Sequence, residues 1–239
     1  DKFFFIALKN TFIILIGITI TILPLSFIVA LLLEKPFRGS GVVQSMIFAP
    51  NVIAPILVGL IWLFILDPKM GMINAILRSI GLSDYQQQWI GGKTLTPYSV
   101  AFVYLWQVLG FYTTINMAGL RSIPADIYEA AEIDGASRWP KITHVTLPSL
   151  KSTIIILVLM SLSGIFRSDF GLFYQVTQNS GPLIKVTQTI DTYVYRGLMQ
   201  TNNIGMSSAA GVYQSVVGFI LVMAANGIVR KVDKDSALF

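Results

Sequence analysis

Five apolar runs, at 11–33, 42–66, 96–119 or 96–120, 152–166 and 206–229, contain no Asp, Glu, Lys, Arg or His. This constrains the fold more than any other feature of the chain. A helix of about 20 residues crosses roughly 30 Å of hydrocarbon, and four of the runs exceed that length. In lipid the backbone must satisfy its own polar groups, so runs of this kind are helices. With 54% hydrophobic and 12% charged residues, the chain also lies far from the roughly 25% charged content of soluble domains. The expected fold class is all-α, a polytopic helical membrane protein with five transmembrane helices in this chain.

The run at 152–166 is too short alone, so its helix is expected to start near Ser149 and to run past Arg167. Arg167 and Asp169 would then sit at the far membrane surface or in a polar cavity. Pro24, Pro50 and Pro55 interrupt two of the runs and predict kinked or locally open helices whose neighbours satisfy the freed carbonyls.

Between two apolar runs stands a charged, helix-prone island, EAAEIDGASRWPKITHVTLP at 129–148. Glu129, Ala130, Ala131 and Asp134 fit on about one and a half turns of helix, and Gly135 permits the left-handed conformation that ends a helix sharply. Ala136 follows the turn, and a second short helix can lead on to Leu147 and Pro148. Small alanines let another protein approach closely, while the acids supply charge for pairing across an interface. An ordinary amphipathic connector is the alternative reading.

The island resembles the EAA loop of importer-type ABC permeases: Glu-Ala-Ala, three residues, Gly135, nine residues, a hydrophobic residue, any residue, Leu147 and Pro148. Two positions depart from the pattern, Val145 where isoleucine is commoner and Ile142 where an aromatic is frequent. They affect the fine fit to a partner. The resemblance implies a cytoplasmic coupling loop at about 121–150, docking onto a separate ATPase through Glu129, Ala130, Ala131, Asp134, Gly135, Ala136, Leu147 and Pro148. It further implies two ATPase subunits holding ATP and Mg, a second permease subunit, an extracytoplasmic solute-binding protein, and a multi-pass location in the bacterial plasma membrane. A heterodimer with a different, related permease is expected from the resemblance, and a homodimer stays open.

Charge agrees with that orientation only weakly: the inward segments carry nine Lys or Arg in 50 residues against eight in 78 elsewhere. Five spans place the first residue outside and the last inside. Because the chain opens on Asp1, a first helix is expected to be missing and the intact subunit to have six spans or more. The net charge of +5 fits basic residues such as Arg230, Lys231 and Lys234 beside anionic lipid. No basic run interleaves with aromatics as nucleic-acid binding would require. Without cysteine there are no disulfides or thiolate metal sites, and no metal or cofactor is expected in this chain.

Uncharged spans offer no proton relay, since ionisable groups persist in a bilayer where they bind or relay a coupling ion. Backbone carbonyls can still bind sodium, so a self-sufficient secondary carrier driven by an ion gradient is the alternative. ATP hydrolysis is not expected here. Gly91, Gly92, Lys93 and Thr94 resemble the end of a P-loop, but Gln87 occupies the required first glycine, which leaves a turn. His144 has no second histidine and is expected to cap or pack the second short helix. Glu129, Glu132 and Asp134 have no dry pocket to shift their pKa values for acid-base chemistry, so an interface role suits them.

Tyr104, Gln107 and Phe111 fall on one face of their span, flanked by Trp106 and Tyr112, and Ser161 and Ser168 share a face of the next at a spacing of seven. Aromatic faces with a few amides and hydroxyls suit a carbohydrate lining, while for any single one of these residues helix packing is the stronger account. The whole chain is similar to maltose-type carbohydrate permeases, which implies cargo contacts at Tyr104, Gln107, Phe111, Ser161 and Ser168. RSDFGLFYQVTQNSGPL at 167–183 and DTYVYRGL at 191–198 resemble the branch that imports complex oligosaccharides. The polar segment 167–205 is either the binding-protein platform or a structural outer loop. With no repeat or soluble insert, 1–239 reads as a single transmembrane domain.

Overall fold

The computed structural model describes residues 2–35, 37–164, 168–178 and 180–232, and their regular structure is helical. Helices α1 (Lys2–Leu33), α5 (Thr96–Arg121) and α13 (Ile204–Val232) are each long and apolar enough to cross a bilayer. Two bent pairs raise the number of candidate spans among the described residues to five. The five-span expectation holds when each bent pair counts as one crossing.

The second run is not a straight helix: α2 (Ser40–Val52) and α3 (Pro55–Ile65) meet at 104°. Pro55 explains the break. Its ring clashes with a helical predecessor, and Ala54 accordingly takes an extended ψ of 132°. Pro24 and Pro50, in contrast, lie inside continuous helices, so only one of the three prolines opens the chain.

The fourth run differs from expectation. A short composite helix comprises α7 (Arg138–Lys141), a π turn at Ile142–Thr146 and α8 (Leu147–Ser149). It meets α9 (Lys151–Gly164) at 66°. Ser168 and Asp169 are not helical, so α9 does not run on through them, and Arg167 lies outside the described residues, as do Phe166 and Lys234. Asp169 instead caps the next helix, accepting from Leu172 N at 3.0 Å.

The chain divides into two compact units. The first comprises Asp1–Ile18, Val52–Gln107 and Ser163–Leu221. Within it α10 (Phe170–Thr177) packs on α3 through glycine: a Cβ on Gly59 would stand 2.7 Å from Gln175 Cβ. Ala7, Tyr193 of α12 (Ile190–Met199) and Ala210 form a second contact, with Phe4 edge-on to Tyr193 and Tyr213. Asn74, on α4 (Met72–Ser79), staples the intervening loops by donating to Pro68 O and Gln87 O and accepting from Trp89 Nε1 at 2.8 Å.

The second unit comprises Thr19–Asn51, Val108–Leu162 and Val222–Phe239. Ala30, Leu33, Met117, Leu120 and Leu150 make its core, so the ends of α1 and α5 and the start of α9 are held together by apolar packing. Asn116 donates to Ser26 Oγ at 3.1 Å inside this unit. Large apolar side chains nevertheless face outward, including Phe5, Ile13, Ile20 and Ile28 on α1 and Val216, Phe219 and Ile220 on α13. An outward apolar surface on helices whose charges lie near their ends is what hydrocarbon requires.

Candidate functional site

The 121–150 segment forms a helix, a tight turn and a second short helix. Pro124 sets an extended entry, and α6 (Ala125–Ile133) opens with Asp126 in its first turn, where the helix dipole favours an acid. The helix ends at Gly135, whose φ is +76°. Gly135 N donates to Glu132 O and Ala136 N to Ala131 O, at 3.0 and 2.9 Å, the paired bonds of a Schellman cap. The expected left-handed stop is therefore present at that residue.

Glu129, Ala130, Asp134, Gly135, Leu147 and Pro148 are exposed, and Ala131 and Ala136 are partly buried. Two apolar residues that the sequence reading did not single out stand further out still: Ile133 is 87% exposed and Trp139 71%. Their signal was available, because a large apolar side chain at a helix end in a polar segment has no lipid to face.

Two contacts tie the halves of this segment together. Lys141 Nζ donates to Glu132 Oε1 at 2.6 Å, and Tyr128 OH lies 2.9 Å from Thr146 Oγ1. The Lys141 hydrogen bond and charge hold the Glu132 carboxyl below its ordinary value of 4.5, so the link persists at neutral pH and is lost only as pH falls through that lowered value. Leu150, 1% exposed, roots the far end in the second unit's core. His144 Nδ1 lies 3.2 Å from Pro140 O and 2.9 Å from Thr143 Oγ1, a local packing role on the π turn.

Each of the five expected pathway residues has an intramolecular contact. Tyr104 and Gln107 belong to the first unit, where the Tyr104 ring lies 6.1 Å from that of Phe173. Gln107 is buried and donates to Ile53 O at 3.4 Å, which serves a carbonyl at the break before Pro55. Phe111 and Ser161 belong to the second unit, Phe111 edge-on to Tyr112 and Ser161 donating to Val158 O at 2.8 Å within α9. Ser168 corrects the expected pairing with Ser161. It lies beyond α9, buried in the first unit, and its Oγ is 2.7 Å from both Asp191 Oδ2, to which it donates, and Thr189 Oγ1.

The stretch beyond Ser168 folds as the short helices α10, α11 (Ile184–Thr187) and α12. Phe170, Tyr174 and Tyr195 cluster with ring centroids 4.5 to 5.2 Å apart, and Gln214 donates to Asp191 Oδ1 at 3.0 Å. Residues 91–94 form the expected turn: Gly91 N donates to Thr96 Oγ1, which donates in turn to Gly92 O at the start of α5.

Comparison with known proteins agrees with this architecture. The family described as binding-protein-dependent transport system inner membrane component matches residues 22–234. The chain is 31% identical over 238 residues, 94% of its length, to the diacetylchitobiose uptake system permease protein NgcF of Streptomyces coelicolor, and spans 65% of that protein. It is 28% identical to the polygalacturonan/rhamnogalacturonan transport system permease protein YteP of Bacillus subtilis, over 97% of this chain and 72% of that one. A chain in the crystal structure of a bacterial alginate ABC transporter, in complex with an alginate pentasaccharide-bound periplasmic protein, superposes with a TM-score of 0.90 at 27% identity. That match covers 98% of this chain and 81% of the other, and it bears out the all-α permease fold.

Proposed function

This chain belongs to the family of binding-protein-dependent transport system inner membrane components, and from that membership we propose that it forms half of the membrane pathway of an ATP-driven oligosaccharide importer. It is a transport subunit and not an enzyme, like the permease proteins it resembles. The observation that carries the reading is the family match across residues 22–234, which includes the exposed helix-turn-helix at 125–149. Relatives named for diacetylchitobiose and for polygalacturonan and rhamnogalacturonan, with a structural neighbour named for alginate, support a carbohydrate longer than one ring.

In this reading the 121–150 segment faces the cytoplasm and docks on one of two separate ATPase subunits, which hold ATP and Mg. Trp139 and Ile133, exposed in this chain, supply apolar anchors for the partner to bury, and Glu129 and Asp134 supply charge at the rim. A second permease, a different and related chain, completes the pathway. The extracytoplasmic segment 167–205 receives the solute-binding protein. Tyr104 and Phe111, the partly buried aromatic members of the expected set, offer ring faces for sugars; Gln107, Ser161 and Ser168 serve the pathway by holding its walls.

Closure of the ATPases on ATP would push the docked helices, and helix packing transmits such motion as a rigid-body shift. The Glu132–Lys141 and Tyr128–Thr146 links make the two short helices move together. Glu129→Lys should reverse the charge at the interface without touching these links. It is expected to reduce ATPase recovery with the tagged permease or to uncouple hydrolysis from uptake. Normal recovery with normal uptake would reject the docking assignment.

A further inference from the structure

Inside the second unit, between the end of α1 and the coupling segment, lies a cavity of about 390 Å³ for which the transport reading names no ligand. One wall is apolar, made by Leu31 and Leu32 at the end of α1 together with Ile142. The charged lining comprises Lys35, Arg138 and Lys141 with Glu34 and Glu132, and Tyr128 and Thr146 add hydroxyls. Lys141 is committed to Glu132. Lys35 and Arg138, both exposed, have no carboxylate within ion-pair distance among the described residues. The lining therefore carries one net positive charge, and Lys35 lies near enough to Glu132 for its charge to help lower that carboxyl.

Position decides what such a cavity can take. Leu32, 64% exposed, is the penultimate residue of a 32-residue apolar helix, so the apolar wall continues directly into the surface that faces hydrocarbon. A ligand seated here meets aliphatic side chains together with Lys35 and Arg138, neither of them in an ion pair among the described residues. A free anion would use only the two cations. Basic pockets where spans meet the inner membrane surface take phospholipid headgroups for this reason.

We propose that this cavity binds the phosphodiester of one inner-leaflet phospholipid, with its phosphate between Lys35 and Arg138 and the start of its acyl chains along Leu31 and Leu32. The inference rests on the orientation adopted above, with the coupling segment inside. Because Arg138 begins the second short helix and Lys35 follows α1, a bound phosphate ties the coupling segment to the end of a span. Bilayer composition thereby influences how firmly the segment is held.

Native mass spectrometry of the intact importer, purified in detergent with added phosphatidylglycerol, tests the site. The wild-type complex should keep one phosphatidylglycerol per copy of this subunit at detergent concentrations that strip the rest. Lys35→Gln and Arg138→Gln should each weaken retention about fivefold, and the pair roughly 25-fold. Lys35→Arg with Arg138→Lys, which keeps both charges, should retain the lipid and guards against a merely misfolded variant. Competition by inorganic phosphate at concentrations equal to the lipid's would overturn the proposal in favour of a free-anion site. Equal retention by wild type and the double Gln variant would overturn it outright. Retention is read without transport, so ATP-dependent uptake by the same preparations judges the importer reading separately.

Discussion

Gly135 shows how one torsion can set the course of an exposed segment. Space does not select glycine here, since a Cβ would meet nothing within 4 Å; the φ of +76° does. Left-handed backbone costs other residues about 1–2 kcal/mol, more when branched at Cβ, while asparagine tolerates it. Gly135→Val should therefore loosen the turn and lower ATPase co-purification, and Gly135→Asn should restore most of it. Equal recovery with both variants would mean the turn does not orient the docking helices. The turn was readable from a glycine four residues beyond Glu-Ala-Ala. The Glu132–Lys141 link was not, because residues nine apart come together only once that turn has folded the chain back.

At the scale of elements, the contact between α3 and α10 depends on small residues. Ala in place of Gly gains about 0.5–1 kcal/mol in a helix interior, but overpacking costs about 1–3 kcal/mol. At Gly59 the added Cβ would stand 2.7 Å from Gln175 Cβ and 3.3 Å from Leu172 O, atoms that cannot swing away. At Gly211 on α13 it would meet nothing within 4 Å. Gly59→Ala should lower the thermal midpoint in detergent, and Gly211→Ala should leave it unchanged or raise it slightly. The long helices were legible because charge is absent over whole spans. The 104° break and α10 were less so: a proline can sit inside a helix, as Pro50 does, or open the chain, as Pro55 does, and only the neighbouring packing decides. Similarly, Ser161 and Ser168 kept their spacing of seven but not a shared face, since α9 had ended before the second of them.

For the molecule as a whole, uncharged spans and an exposed, rooted helix pair point the same way. The membrane part lacks an ionisable relay of its own in the five apolar runs, and the segment at 125–149 offers a partner both apolar anchors and charge. In the proposed reading, a subunit of this kind is moved from outside the bilayer. The most direct test is uptake of a labelled oligosaccharide into proteoliposomes holding the complete importer, with ATP enclosed beside the ATPase subunits and the binding protein on the opposite side. Uptake should require both ATP and the binding protein and should survive collapse of proton and sodium gradients. Uptake driven by an ion gradient without ATP would contradict the account.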